Sequence, residues 1–310
     1  MTVLLLAVAP CVWPHGYAGK RIFPTTLAID DPFVMDEFSL LANHIKGPGT
    51  PEEPATRATA ISAEYTARIT PHFGIFLGGE FRHLEPNGKD ALDGFGNLEV
   101  GAKYQFFTSA PHETTVSIGL EADVSGTGDR RVGATAFSTL APTLYFGKGM
   151  GDLPESAKYL RPLAVTGVFG AAFPTDSRTV TRRTREADTL DKETAYNPTV
   201  LQWGVAVQYS LQYLQSFVSD EGLKTPFDGM IPLVELAMET CLNADCRGQT
   251  VGTVNPGLVW FGRYVQLGIE ARIPINDRTG NNVGVSALFH VFVDDVLDEL
   301  LARPHHHGFE

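Results

Sequence analysis

The chain has 310 residues, 43% of them hydrophobic, with 36 acidic against 24 basic side chains and a formal net charge of −12. That balance argues against DNA or RNA as a partner, because phosphate recognition calls for clustered Lys and Arg. The one basic cluster, Arg178, Arg182, Arg183 and Arg185, is followed at once by acids and reads as a solvated loop.

In chain order, the first element is the opening MTVLLLAVAPCVWPHGYAGK. Its apolar run, Thr2 to Trp13, ends in small residues at Gly16-Tyr17-Ala18, so residues 1–18 read as a secretory signal peptide, although no Lys or Arg precedes the run. Pro10 beside Cys11 opposes lipidation. Residues 19–32 read as an N-terminal periplasmic segment. Beyond Ala18 no run of about 18 apolar residues exists, so no transmembrane helix is expected. A secreted chain without helical spans still crosses a membrane if its strands close into a barrel.

Strict alternation follows, the signature of strands with two unlike faces. It covers Ala60–Ile69, Ile75–Arg82, Leu98–Phe106, Val116–Val124, Leu201–Leu214, Val265–Ile273 and Val283–Val291. In the fifth, LQWGVAVQYSLQYL, Leu201, Trp203, Val205, Val207, Tyr209, Leu211 and Tyr213 share one parity. Gln202, Gly204, Ala206, Gln208, Ser210 and Gln212 share the other. Less regular segments near 137–147, 160–173, 229–241 and 252–262 contain or adjoin prolines, which belong at strand starts, bulges or edges. A weak N-terminal segment spans Phe33–Ile45. Strands of about 9–14 residues exceed the usual soluble length of about 5–6 and suit a tilted membrane crossing.

Connections alternate between short turns, as at Pro71-His72, Ala110-Pro111-His112 and Arg263-Tyr264, and longer polar stretches near 86–97, 125–136, 175–198 and 242–251. The expected fold is therefore all-β, a transmembrane antiparallel barrel of about 12 strands over 33–293, with a C-terminal periplasmic tail over 294–310. The apolar parity faces lipid. The other parity, rich in Gly, Ala and Ser, lines a crowded lumen with Glu64, Glu80, Glu99, Glu121, Asp123, Glu235, Glu239 and Glu270 against Arg68, Arg82, Lys103 and Arg272. If Thr70 and Gly74 flank a three-residue turn, Glu64 falls opposite Glu80. The acidic excess predicts a cation preference in any conducting pore.

GFGNLEVGAKYQFF (Gly94–Phe107), FGKGMGDLP (Phe146–Pro154) followed by Leu160-Arg161-Pro162, and DPFVMDEFSL (Asp31–Leu40) resemble segments of the outer-membrane family named for the meta-pathway of phenol degradation. The resemblance spans about 30–293. It implies an outer-membrane β-barrel of the bacterial cell passing small molecules, aromatic or hydrophobic ones among them, and brings no catalytic residues.

Other chemistry is weaker. Cys241 and Cys246 are expected to form a disulfide in an oxidising compartment. Lys148 in FGKGMGDLP lacks the Ser or Thr of a P-loop, and Gly147, Gly149 and Gly151 read as turn residues with positive φ. No Gly-x-Ser-x-Gly motif is present. His72 and His112 fall in periplasmic turns, and His83 and His290 lie in strands at opposite ends. His305-His306-His307 reads as a tail. No enzyme, metal or cofactor is expected. The partners are outer-membrane lipid and a small-molecule solute, with the oligomeric state open. The reading is a passive channel or transporter; the alternatives are a structural or interaction barrel with a plugged lumen, and a lipid hydrolase.

Overall fold

The computed structural model describes residues 16–49, 54–184 and 190–302. The apolar leader up to residue 15, Cys11, Arg185 and the trihistidine lie outside them. Among the described residues no helix is long and apolar enough to cross a membrane.

Twelve antiparallel strands form a closed sheet. They are β1 (Glu37–Gly47), β2 (Thr56–Thr70), β3 (Phe73–Pro86), β4 (Leu98–Ser109), β5 (Thr114–Val124) and β6 (Thr139–Gly149). The second half comprises β7 (Leu163–Pro174), β8 (Val200–Tyr209), β9 (Met230–Cys241), β10 (Thr250–Phe261), β11 (Val265–Pro274) and β12 (Gly284–Phe292). Each pairs with its chain neighbours, and β12 closes on β1 from Val285↔His44 to Phe292↔Glu37. Closure removes the sheet edges that hydrocarbon does not tolerate. One parity carries the exposed apolar side chains, for example Ile61 and Tyr65 on β2, Ile118 and Leu120 on β5, and Leu267 and Ile269 on β11. The other parity is buried and polar, including Ser117, Gln208, Glu235, Asn255 and Gln266. The sheet is thus inside-out relative to a soluble one.

Several local expectations change. The strand opening at Val200 stops at Tyr209, because Ser210 accepts a hydrogen bond from the Tyr213 backbone N–H, 3.1 Å, and caps helix α1 (Leu211–Phe217). Leu211 and Tyr213 therefore leave the lipid face, and Tyr213 is buried. A bulge between Arg68 and Thr70 leaves a two-residue turn at Pro71-His72. Glu64 consequently sits opposite Gly78, and Glu80 opposite Ser62. The 175–198 stretch is a ribbon, Arg178–Thr184 pairing with Leu190–Tyr196, rather than an irregular loop. Cys241 and Cys246 are disulfide-bonded, with Cα atoms 5.7 Å apart.

The largest departure is at the N-terminus. Residues 16–36 do not form a detached periplasmic segment; they fold into the barrel, and Phe33, placed by its sequence at the start of a strand, is among their buried side chains. Phe23, Phe33 and Met35 cluster with Ala18 and with Ala164 of β7. Leu27 packs with Ile231, Leu233, Val259 and Leu288 on β9, β10 and β12. Small residues on the inward parity make the room. A Cβ on Gly268 would lie 2.8 Å from Leu27 Cδ1, and one on Gly204 only 2.1 Å from Ile29 Cδ1.

The base of this insert is locked at the short-turn end. The buried Arg21 guanidinium donates to Glu113 Oε2, 3.2 Å, and to the carbonyls of Pro162 and Arg161. Tyr213 donates to Glu113 Oε1, 2.8 Å, and its ring lies 3.9 Å from the Arg21 guanidinium carbon. Gly147, Gly149 and Gly151 do not have positive φ. The latter two are needed for closeness, since a Cβ would fall 2.2 and 2.3 Å from the Glu113 carboxylate oxygens. Beside them Asp152 pairs with Lys148, 2.9 Å, and with His112, 3.3 Å. At the same end β12 runs into α2 (Val293–Ala302), whose Asp294 pairs with Arg68 at 2.5 Å. Burial and the neighbouring Asp36 carboxyl push the Asp294 carboxyl up to about 7, against the pull of Arg68.

Two outcomes are expected. Gly268→Val overfills the Leu27 site, at a cost of about 1–3 kcal/mol in docking the insert; the barrel should keep its heat-modifiable gel migration while protease gains access to residues 23–31. A carboxyl raised on docking favours the docked helix while protonated, so α2 attachment is strongest at low pH and weakens as pH rises through about 7. Hydrogen exchange of α2, corrected for intrinsic rates, should speed up across that range in the wild type and stay flat in Asp294→Asn.

Candidate functional site

The lumen is where the inward parity and the insert meet. The insert's tip, Leu27-Ala28-Ile29, presents three consecutive backbone N–H groups to one carboxylate, that of Glu235 on β9, at 3.1, 3.0 and 2.9 Å. Successive N–H groups form an anion-binding concavity, and Glu235, with 0% exposure, fills it. Gln266 on β11 donates to the Thr25 carbonyl, and Ser117 on β5 to that of Pro32. From the opposite wall Lys103 on β4 reaches Asp30 Oδ2 at 2.7 Å and the Asp31 carbonyl at 2.9 Å. Its ammonium also lies 4.6 Å from the centre of the Tyr145 ring. The tip therefore leans on the β8–β12 wall, and one ion pair bridges the remaining gap to β4.

Space remains on both sides of that bridge. A cavity of about 380 Å³ lies in the long-loop half, lined by Asp30, Glu121, Gln202, Glu239, Thr253 and Arg272. A second, about 260 Å³, lies toward the short-turn end, lined by Ser39, Ser62, Glu64, Thr66, Phe76 and Lys103. Ala28, Ile29, Asp30, Glu121 and Tyr145 line both. These shared residues form the constriction between the two chambers.

The twelve charges expected in the lumen divide by task. Glu64, Lys103 and Glu121 border the chambers, with Glu239 and Arg272 in the outer one. Glu99 joins the acidic wall, because it pairs in register with Gly78, the residue that also faces Glu64. Glu235 is spent on the insert. Glu270, 2% exposed, lies in the wall opposite Ser286. Glu80 accepts from Ser62 at 3.0 Å and pairs with Arg82, which also donates to the Val132 carbonyl. Asp123 holds Asn97 at 2.9 Å and so pins the long connections. Arg68 serves α2 at the other end. The facing Glu64–Glu80 carboxylates do not occur, since the two-residue turn and the bulge together offset them by two register positions.

Asp30, Asp31, Tyr145, Arg21 and Glu113 escaped the sequence reading. The signal available was FPTTLAIDDPFVM, residues 23–35, which is too apolar for a solvated segment yet does not alternate.

Hydrolytic chemistry finds one partial arrangement. Ser39 Oγ lies 2.9 Å from His290 Nδ1, and His290 Nε2 lies 3.6 Å from Glu37 Oε2. These residues sit on β1 and β12, and β1 is paired on both sides, so its N–H groups are committed to the ladder. An oxyanion needs donors that are free to face it. Among the described residues no group of His, Cys, Asp and Glu is arranged to hold a metal ion.

No protein-family profile matches the sequence, and no curated protein matches it. Among solved structures the chain is similar to an outer-membrane channel from Pseudomonas putida F1, with 12% identity and a TM-score of 0.55 over 87% of this chain and 99% of that one. It is also similar to the NanC porin, with 8% identity and a TM-score of 0.46 over 82% and 98% of the two chains. The KdgM porin, solved with disordered oligogalacturonate, has 10% identity and a TM-score of 0.45 over 82% and 98%. The likeness is one of fold, that of a closed twelve-stranded barrel whose apolar exterior suits the bacterial outer membrane.

Proposed function

We propose that this protein is a passive outer-membrane channel for small hydrophilic solutes, non-enzymatic, with residues 16–36 narrowing its lumen. The observation that carries this reading is the pair of polar chambers meeting at Asp30, Glu121 and Tyr145. A barrel built only for support has no need of two chambers with charged linings that share a wall. About twelve strands also stand between the side-chain-filled small barrels and the open porins, so an insert that narrows the lumen without filling it gives a selective path. The short-turn end is taken as periplasmic and the long-loop end as external. The sequence resemblance implies aromatic solutes as well, but Glu64, Lys103, Glu121, Glu239 and Arg272 stand among the apolar side chains that line the chambers, which favours hydrophilic ones. A plugged structural barrel is the second reading, favoured by the extent of the insert's packing.

Planar-bilayer recording separates the two. The wild type should conduct, with single-channel steps well below those of open porins; a protein that folds and inserts without conducting supports the plugged barrel. Lys103→Ala breaks the bridge from β4 to Asp30 and should raise conductance. Removing one partner of a buried pair costs about 3–5 kcal/mol, and here the low end applies because the Asp30 side chain is 44% exposed. Reversal potentials under a salt gradient should show cation preference in the wild type and less of it in Glu64→Gln with Glu121→Gln. An anion-selective wild type counts against the acidic wall as the conduction path.

A further inference from the structure

The outer chamber has hydrogen-bonding capacity that the protein does not use. Gln202 and Glu239 face each other across β8 and β9, yet neither side chain bonds another described residue. Thr253 is 3% exposed and lines the same chamber, with its hydroxyl unpartnered among the described residues. Arg272 approaches Asn43 only at 3.5 Å, and its Nε is buried without a hydrogen-bond partner among the described residues. Buried polar groups in native proteins are normally satisfied. Two buried groups here, the Thr253 hydroxyl and Arg272 Nε, converge with the open side chains of Gln202 and Glu239 on one space, which marks where a polar molecule belongs.

The geometry points to this chamber as a binding site for a small polyhydroxylated, non-anionic solute of monosaccharide size. The inference rests on the channel reading and gives it a substrate class. Hydroxyls both donate and accept, which matches a lining that mixes the acceptors Glu121 and Glu239 with the donors Arg272 and the Gln202 amide. Its volume, about 380 Å³, is at the small end of ligand sites. An anionic sugar would meet Glu121 and Glu239 with one guanidinium to offset them, since Lys103 is already taken by Asp30. Of the two aromatic residues in the lining, Tyr145 already carries the Lys103 ammonium and Trp203 shares the outward parity of Phe169, so neither offers an open ring to an aromatic solute.

Calorimetric titration of the full chain in detergent tests this, with glucose, glucosamine, glucuronate and phenol as probes. Glucose and glucosamine should bind, and the other two should bind at least about tenfold more weakly. Thr253→Val keeps the shape, removes one hydrogen bond, and should weaken glucose binding about tenfold. Glu239→Gln should weaken glucosamine more than glucose. Heat-modifiable gel migration verifies that each variant is folded. Glucuronate or phenol binding as tightly as glucose overturns the proposal, as does wild-type affinity in both variants or no binding by any probe. Bilayer conductance reads the channel separately: a conducting protein that binds none of the probes loses the site and keeps the channel, while a non-conducting one that binds glucose does the reverse.

Discussion

The governing constraint is that this sheet has its apolar face outside. Lipid satisfies that face, and it leaves an inward wall of carboxylates, amides and hydroxyls that nothing apolar can cover. At about twelve strands the wall's own side chains do not reach across. The insert resolves this in two ways. Its apolar residues fill volume beside Gly204 and Gly268 and pack on the wall's few inward apolar side chains, such as Ile231 and Leu233. Its backbone meets the wall's charges, most directly where Glu235 accepts three consecutive N–H groups.

Satisfaction is uneven around the barrel, and the unevenness locates function. On the β8–β12 side near the short-turn end, the tip is packed and bonded. On the β2–β5 side, Glu64 and Glu121 face space, and Lys103 with Asp30 and Asp31 bridges the insert to β4. Toward the long loops, Gln202, Glu239 and Thr253 border a chamber that the insert lines on one side without filling. Charges that a sequence reading treats as equivalent thus separate into those that hold the protein together and those that remain available to a solute.

Much of the barrel was legible because its rule is local. Period-two alternation marks each strand wherever the two faces meet different media, so the clean segments and the inward parity of Glu64, Lys103 and Glu121 could be read directly. Features set by contact were not. The register of β2 against β3 depends on a bulge at a turn where Thr70 side-chain and backbone geometry decide, and a shift of two positions separated Glu64 from Glu80. The helix after Tyr209 hides in continued alternation until Ser210 is read as a cap. The insert has neither period, because each of its side chains answers to a different strand.

Both ends of the insert lie at one mouth of the barrel. The Gly16 amide hydrogen-bonds Met35 Sδ at 2.9 Å, while Asp36 accepts from the Arg68 amide at the end of β2. The segment enters and leaves by the same opening, as a finger does a glove, and at no point do the described residues pass through the ring. Topologically the barrel is unthreaded, so its closure by β1 and β12 and its occupation by the finger are separate events. The finger can arrive after the ring has sealed, or withdraw from it, with no ladder hydrogen bond of the sheet broken.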